Sequence, residues 1–428
     1  MIRLSHPSAI VKGEVKLPSS KSISNRLLVL QKLYEPSMFL DNLSEANDTQ
    51  LLARILSDEC SLMDVEDAGT ALRFLLAYTS VTPGEWIIKG TERLNQRPIA
   101  ELVDALRLFG ADIEYLENEG CAPLKVNGKK LLASTSLIDV TNVKSSQFVS
   151  ALLLIAPLIE GDFNLKVNTK MSSYSYVHLT ISCLRRMGFT VFIKGQYLSV
   201  SKQQRFDGEY FQIEPDWTSF YYWLSIAHLA KEVDLFFPGL RLENMSRERT
   251  KLYDVGNKAM FFEEINGGIH ITKKEKGFIE IVSDLNYTQF PDSAMTFAML
   301  IPDVGKKHAN LRGLDSLKYK ECDREEALKN HLSKIGVQLT TDEEFWRLDA
   351  TEYNLRPETY FETYDDHRMA MCVAPLALLQ PIIMEDSEVV KKSYPHFWED
   401  LKRVGFVLEE VTDMLDASKN SNVSSYPI

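Results

Sequence analysis

"ALRLFGADIEY" (residues 105–115) reads as the end of a helix, a glycine, and the start of a strand. A leucine, a basic residue and further apolar residues lead into Gly110, and alternating residues follow it. Cations favour the negative end of a helix, and glycine takes the left-handed conformation that closes one. Alternation with a period of two then suits a strand. The same pattern recurs as "CLRRMGFTVFI" at Gly188, "HLSKIGVQLTT" at Gly336 and "DLKRVGFVLEE" at Gly405. The intervals between these glycines are 78, 148 and 69 residues, so the long one has room for another copy near residue 265. "MFFEEINGGIHIT", with Gly267 and Gly268, fills that place, and "LLARILSDECSLMDV" (51–65) reads as a sixth, degenerate copy. Six units of about 71 residues account for the chain, which means one supersecondary architecture used repeatedly.

Helix starts recur too. Segments such as "SSKSISNRLL", "DWTSFYYWLSIAHLA", "CDREEALKNHLSKIG" and "YPHFWEDLKRVG" open on or beside Ser, Asp or Pro, residues that cap or begin helices. Pro98 reads as a first helical residue, Asp292 as an N-cap and Glu321 as a first-turn carboxylate. Strands are read at "GEVKL" (13–17), "EWIIKG" (85–90), "FNLKV" (163–167), "FIEIV" (278–282) and "FWRLDA" (345–350). The fold class is therefore mixed α/β (α+β), in two pseudo-symmetric halves of three units each.

The chain has 428 residues, 45% of them hydrophobic and 25% charged, with a formal charge of −12. Such an acidic balance argues against nucleic acid as a partner. The first ten residues lack the apolar run of a signal peptide, and "FVSALLLIAPLI" (148–159) is too short to span a bilayer. These features predict a cytoplasmic protein with no membrane partner, and a buried helix at 148–159. The five cysteines have no CxxC spacing and the eight histidines no HExxH spacing, so reduced thiols and no metal are expected. The polar stretch 417–428 is read as a disordered tail.

Cations cluster at the helix starts. Lys21 and Arg26 flank the first, Arg73 follows "DAGTA", Arg97 precedes Pro98, Lys144 precedes "SSQ", and Arg368 follows "DDH". Free N–H groups and partial positive charge make helix N-termini natural anion sites, and added cations strengthen them. A Walker loop and a GxGxxG turn are both absent, so a nucleotide cofactor has no support.

Eight motifs, in order, carry a family resemblance: "LPSSKSISNR" (17–26), "DAGTALR" (67–73), "RPIAELVDALRLFGA" (97–111), "SSQFVSALLLIAPL" (145–158), "PDSAMT" (291–296), "KYKECDR" (318–324), "TYDDHRMAM" (363–371) and "KKSYPHF" (391–397). Over nearly its whole length the chain resembles the EPSP synthase family of enolpyruvyl transferases. The resemblance implies two domains of three βαβαββ units each, with the active site in the interdomain cleft. It places 19–214, with one shortened repeat, on the shikimate-phosphate side, and joins 1–18 to 215–416. The implied reaction joins shikimate 3-phosphate to phosphoenolpyruvate. The 5-hydroxyl attacks C2, C3 is protonated, and the tetrahedral intermediate expels phosphate. No metal or organic cofactor is implied, and family analogy points to a monomer.

By the same resemblance, Lys21, Gly69, Arg97, Gln147, Arg324, Arg368 and Lys392 hold phosphoenolpyruvate. Ser145, Ser146, Ser173, Ser316 and Lys320 serve the shikimate 3-phosphate site, with Ser22, Arg26 and Tyr176 on its ring substituents and carboxylate. Arg73 and Asp366 support the site. Asp292 accepts the hydroxyl proton while also contacting shikimate 3-phosphate, Glu321 protonates C3, and Lys21 shares the acid–base work.

Three residues depart from the family pattern: Asp67 stands for Asn, Cys322 for a hydroxyl residue and Ser316 for Asn. The stretch Asp48 to Asp67 is also short, as if two strands of one repeat were missing. Every charged catalytic position is filled. UDP-N-acetylglucosamine enolpyruvyl transferase has the same fold and co-substrate, but its reactive loop generally carries Cys, or sometimes Asp. Here "TPGEWIIKGTERLNQR" (82–97) contains no Cys. The departures leave a non-catalytic, anion-binding relative as the other alternative.

Overall fold

The computed structural model describes the chain except residues 59, 134–136, 205–207, 209, 243–259, 274–283, 305–306, 343 and 412–428. The strand expected at "FIEIV" and the tail 417–428 lie outside the described residues.

Helix ends with the expected chemistry set the repeat. The helices Ala100–Leu108, Ser175–Arg186, Arg324–Lys334 and Phe397–Arg403 each stop two residues before Gly110, Gly188, Gly336 or Gly405. All four glycines have φ between 72° and 107°, a region where a side chain would strain the backbone. A basic residue lies in the last turn of each of these helices. Gly267 is different. It follows Asn266 (φ 47°) with φ 78° in the turn that joins Phe261–Ile265 to Gly268–Lys273. The glycine taken for a helix end is a hairpin turn, because two successive positive φ values match the twist of paired strands.

The chain forms two compact units, one of Ser19–Glu214 with Thr288–Phe290, the other of Met1–Pro18, Pro215–Tyr287 and Pro291–Ile428. In the first, Leu62–Asp64, helix Gly69–Val81, Gly84–Lys89, helix Ala100–Leu108, Asp112–Tyr115 and Leu124–Gly128 make one βαβαββ repeat. Its first two strands pair in parallel, and its hairpin strands Asp112–Tyr115 and Leu124–Gly128 pair antiparallel, the latter also antiparallel to Gly84–Lys89. Residues 138–204 repeat this pattern with a second four-stranded sheet. The remaining repeat is cut short. Helix Lys21–Tyr34, strand Phe39–Asp41 and helix Asn47–Asp58 lead directly into Leu62–Asp64, without a hairpin. Its sheet has two strands among the described residues, closed by Tyr210–Gln212 in parallel.

Among its described residues, the other unit holds three four-stranded sheets. Ile10–Glu14 pairs in parallel with Glu232–Pro238, so the first strand of its first repeat comes from the N-terminus. That strand lies three residues upstream of the predicted "GEVKL". Ile2–Ser5 fills the third repeat, between Ile382–Met384 and Val407–Glu410. Each unit has its own apolar core. Helix Ser146–Ile155, predicted from "FVSALLLIAPLI", is almost wholly buried, with seven consecutive residues, Val149–Ile155, at 0% exposure. No helix among the described residues is long and apolar enough to cross a membrane. The five cysteines are free.

Candidate active site

In the unit of Ser19–Glu214, Ser20 caps helix Lys21–Tyr34 and its hydroxyl accepts from the Ile23 N–H. Lys21 is thereby the first helical residue. Its Nζ lies 2.8 Å from Oδ2 of Asp48, a buried carboxylate in the first turn of helix Asn47–Asp58. The sequence reading missed Asp48.

Arg26, one turn further along the helix, is 2% exposed. Its Nε donates to Thr180 Oγ1 (2.7 Å), Nη1 to the Ser22 carbonyl (2.7 Å), and Nη2 to Ser150 Oγ and the Tyr176 carbonyl (both 3.2 Å). The guanidinium also sits near the rings of Phe74 and Tyr176. Every one of these acceptors is neutral. Burial lowers the Arg26 pKa to about 10, still charged at neutral pH. These neutral oxygens leave the buried charge uncompensated. Ser22, Arg26 and Tyr176 are thus brought together, with Ser150 and Thr180 as partners that sequence reasoning did not find.

Gly69 opens helix Gly69–Val81. A Cβ built there would lie 2.7 Å from Arg73 Nη1 and 2.8 Å from Arg97 Nη1, so two guanidinium groups close on this backbone. Arg73 Nη1 donates to the Gly69 carbonyl at 2.9 Å. Pro98 is not the first helical residue, because the helix starts at Ala100; Arg97 lies on the connection before it. Gln147 reaches Thr70 Oγ1 from the next repeat, at 3.3 Å, and Ser145 caps that repeat's first helix. Ser146 is buried beside it. Ser173 has φ 65°, its N–H donates to the Thr288 carbonyl at 2.6 Å, and its buried hydroxyl has no partner among the described residues. Asp67 is exposed.

The other unit builds a denser cluster around Arg324, which is 1% exposed. Its Nε and Nη2 engage both oxygens of Asp366 (2.7 and 3.1 Å), Nη2 also reaches Glu321 (2.6 Å), and Nη1 reaches Asp292 (2.8 Å). Four of the five guanidinium donors are thus given to three carboxylates. Glu321 precedes the N-cap Asp323 and is not in the helix's first turn. Asp292 is no N-cap either; it lies in the 3-10 turn Pro291–Ser293 ahead of helix Ala294–Leu300. Both carboxylates are placed by Arg324 rather than by a helix end.

Lys320 Nζ and Arg368 Nη2 each stand 3.6 Å from Asp292. Burial alone would push the Asp292 carboxyl up, but Arg368, Lys320 and Arg324 together hold it far below the usual carboxylate range. Burial lowers the Lys320 ammonium. Asp366 caps helix His367–Val373 through the Arg368 N–H (2.9 Å), so one carboxylate fixes Arg324 and Arg368 together. The Arg368 guanidinium also donates to the hydroxyl of Tyr222 at 3.1 Å, another partner the sequence did not reveal. Cys322 Sγ lies 3.6 Å from Asp366 Oδ2, where a hydroxyl residue would donate in the same sense. Burial, and then the Asp366 charge, push this thiol well up, so it stays protonated. Ser316 is half-buried in the turn Asp315–Tyr319, which packs on Pro291–Ser293. Lys392 is buried at the end of the turn Glu388–Lys392, against the helix that carries Arg368. Among the described residues, no group of three His, Cys, Asp or Glu is arranged to hold a metal ion.

Comparison with known proteins points the same way as these clusters. The family model described as "EPSP synthase (3-phosphoshikimate 1-carboxyvinyltransferase)" matches residues 57–401. A 3-phosphoshikimate 1-carboxyvinyltransferase of Bacteroides fragilis is 37% identical over 407 residues, covering 94% of this chain and 97% of the relative. One from Vibrio atlanticus is 31% identical, covering 92% and 97%. Among solved structures, an EPSP synthase of Acinetobacter baumannii superposes with a TM-score of 0.75 at 18% identity, over 96% of this chain and 99% of that one. The enolpyruvyl transferase NikO of Streptomyces tendae shares the fold, with a TM-score of 0.72 at 15% identity over 96% and 99%. With this match across most of its length, the chain belongs to the EPSP synthase family.

Proposed function

We propose that this protein transfers the enolpyruvyl group of phosphoenolpyruvate to the 5-hydroxyl of shikimate 3-phosphate, releasing phosphate. The observation that carries the reading is the pair Asp292 and Glu321 on one buried arginine, with Lys320 and Arg368 beside Asp292. Two carboxylates held by cations suit a reaction that moves two protons between polyanions. Phosphoenolpyruvate takes Lys21, Gly69, Arg97, Gln147, Arg324, Arg368 and Lys392. Shikimate 3-phosphate takes Ser22, Arg26, Ser145, Ser146, Ser173, Tyr176, Ser316 and Lys320.

In the addition step the O5–C2 bond forms as the C2=C3 π bond breaks, the O5 proton goes to Asp292, and Glu321, which must enter the cycle as the protonated acid, delivers its proton to C3. In the elimination step C3 returns a proton to Glu321, the C2–O bond to phosphate breaks, and the phosphate leaves with the Asp292 proton. Asp292 is held ionised and can therefore receive a proton. The cations that hold it also weaken it as a base, until substrate phosphate and carboxylate groups share them. The reading carries with it no metal or organic cofactor, no nucleic-acid or membrane partner, and a cytoplasmic monomer. The test is phosphate release from phosphoenolpyruvate with shikimate 3-phosphate present. Binding of both without release would replace the enzyme by an anion-binding relative.

A further inference from the structure

The first helices of the three repeats in the unit containing Arg324 bring together Tyr222, Asp292 and Arg368. Tyr222 lies on helix Trp217–Leu229, Asp292 in the turn before helix Ala294–Leu300, and Arg368 on helix His367–Val373. Tyr222 is 2% exposed and its ring packs edge-on against Phe397. Its hydroxyl accepts from Arg368 Nη1 at 3.1 Å, while Arg368 Nη2 stands 3.6 Å from Asp292 Oδ2. The second distance is longer than a close charge-assisted bond of about 2.7–2.9 Å. Arg368 therefore donates to a neutral oxygen on one side and faces a carboxylate at 3.6 Å on the other.

We infer that Tyr222 is a positioning residue, whose hydroxyl fixes the orientation of the Arg368 guanidinium beside Asp292 and so sets where an anion meets it. This rests on the reading that Arg368 holds phosphoenolpyruvate. A neutral anchor suits the task. It fixes the planar fork without adding negative charge, in contrast to Arg324, which is anchored by three carboxylates. Burial pushes the Tyr222 phenol well up, so it stays un-ionised.

The test is Tyr222→Phe, which keeps the ring and its packing and removes only the hydroxyl. The KM for phosphoenolpyruvate should rise roughly ten-fold, a change of about 1.4 kcal/mol. The KM for shikimate 3-phosphate and the melting midpoint should hardly move, and kcat should change by less than the KM. A role confined to core packing would lower the melting midpoint and affect both substrates alike, which would overturn the inference. So would an unchanged phosphoenolpyruvate KM in a well-folded variant. Calorimetric titration of phosphoenolpyruvate, with shikimate 3-phosphate bound, reads the same shift without turnover. A wild-type protein that binds but does not turn over would sink the catalytic reading alone, and this titration would still decide the role of Tyr222. In the double-mutant cycle, Tyr222→Phe should have little further effect on phosphoenolpyruvate affinity once Arg368→Gln is present. An effect of full size in that background would also overturn the inference.

Discussion

Gly69→Ala isolates the arginine pair at the start of helix Gly69–Val81. The new Cβ would lie 2.7 Å from Arg73 Nη1 and 2.8 Å from Arg97 Nη1, against about 3.5–4.0 Å for an ordinary contact. Both contacts are with the far ends of flexible side chains, so the guanidinium groups retreat by roughly 1 Å and the backbone stays. A bond from Arg97 to an anion at about 2.8 Å then stretches beyond roughly 3.5 Å and ceases to count. Hydrogen bonds to charged groups contribute about 1.5–3 kcal/mol. The expected result is a rise of roughly 10- to 100-fold in the KM for phosphoenolpyruvate, at about 1.4 kcal/mol per factor of ten. Gly69 does not have a positive φ, and alanine is the better helix former, so folding should not suffer. The assay is phosphate release at saturating shikimate 3-phosphate, with the melting temperature measured alongside. A phosphoenolpyruvate KM within two-fold of wild type would refute the reasoning, since two guanidinium groups would then have moved without consequence for the ligand.

Glu321→Gln should leave both substrates binding, read by calorimetry, and cut turnover by about 10²–10⁴-fold, as for loss of an acid–base group. Lys273 donates from its buried Nζ to the carbonyls of Ala227 (3.0 Å), His228 (2.6 Å) and Ala230 (2.7 Å), where helix Trp217–Leu229 ends. Lys273→Met should destabilise the unit by about 2–4 kcal/mol, as a lower urea midpoint, because buried carbonyls lose their donor. Burial lowers the imidazoles of His228 and His331 to about 4, against 6.5 for the free side chain. The unfolded chain therefore binds more protons between those limits. The contribution is intact above pH 6.5 and is lost as pH falls toward 4, by up to roughly 2.7 kcal/mol per pH unit for the two together. Urea unfolding from pH 7 to 4 should show a shallower decline in His331→Gln than in wild type.

The repeat was legible because a helix end is a local affair. Gly110, Gly188, Gly336 and Gly405 each sit within a few residues of the basic group and strand that explain them. Gly267 misled because glycine serves hairpin turns and helix ends alike; Asn266 before it was the better signal. The clusters were harder to read. Lys21 and Asp48 are 27 residues apart, and Tyr222 and Arg368 are 146 apart. No local pattern predicts such a meeting. Asp292 and Glu321 looked like helix-terminal acids, since a carboxylate near a helix start is common. Only the packing of separate repeats shows that one arginine, Arg324, holds them both.

The strands at the two ends of the chain set an order for biosynthesis. Ile2–Ser5 and Ile10–Glu14 leave the ribosome before Ser19–Glu214, yet their partners are Glu232–Pro238, Ile382–Met384 and Val407–Glu410. The whole of Ser19–Glu214 is made in between. At about 5–20 residues per second, residue 410 follows residue 214 by roughly 10–40 s. During that time the unit between them can collapse around its own core while the leading strands remain open edges. Nascent chains of this protein should therefore need shielding at their N-terminal eighteen residues. Those residues are also the natural place to look for a bound chaperone on stalled translation intermediates.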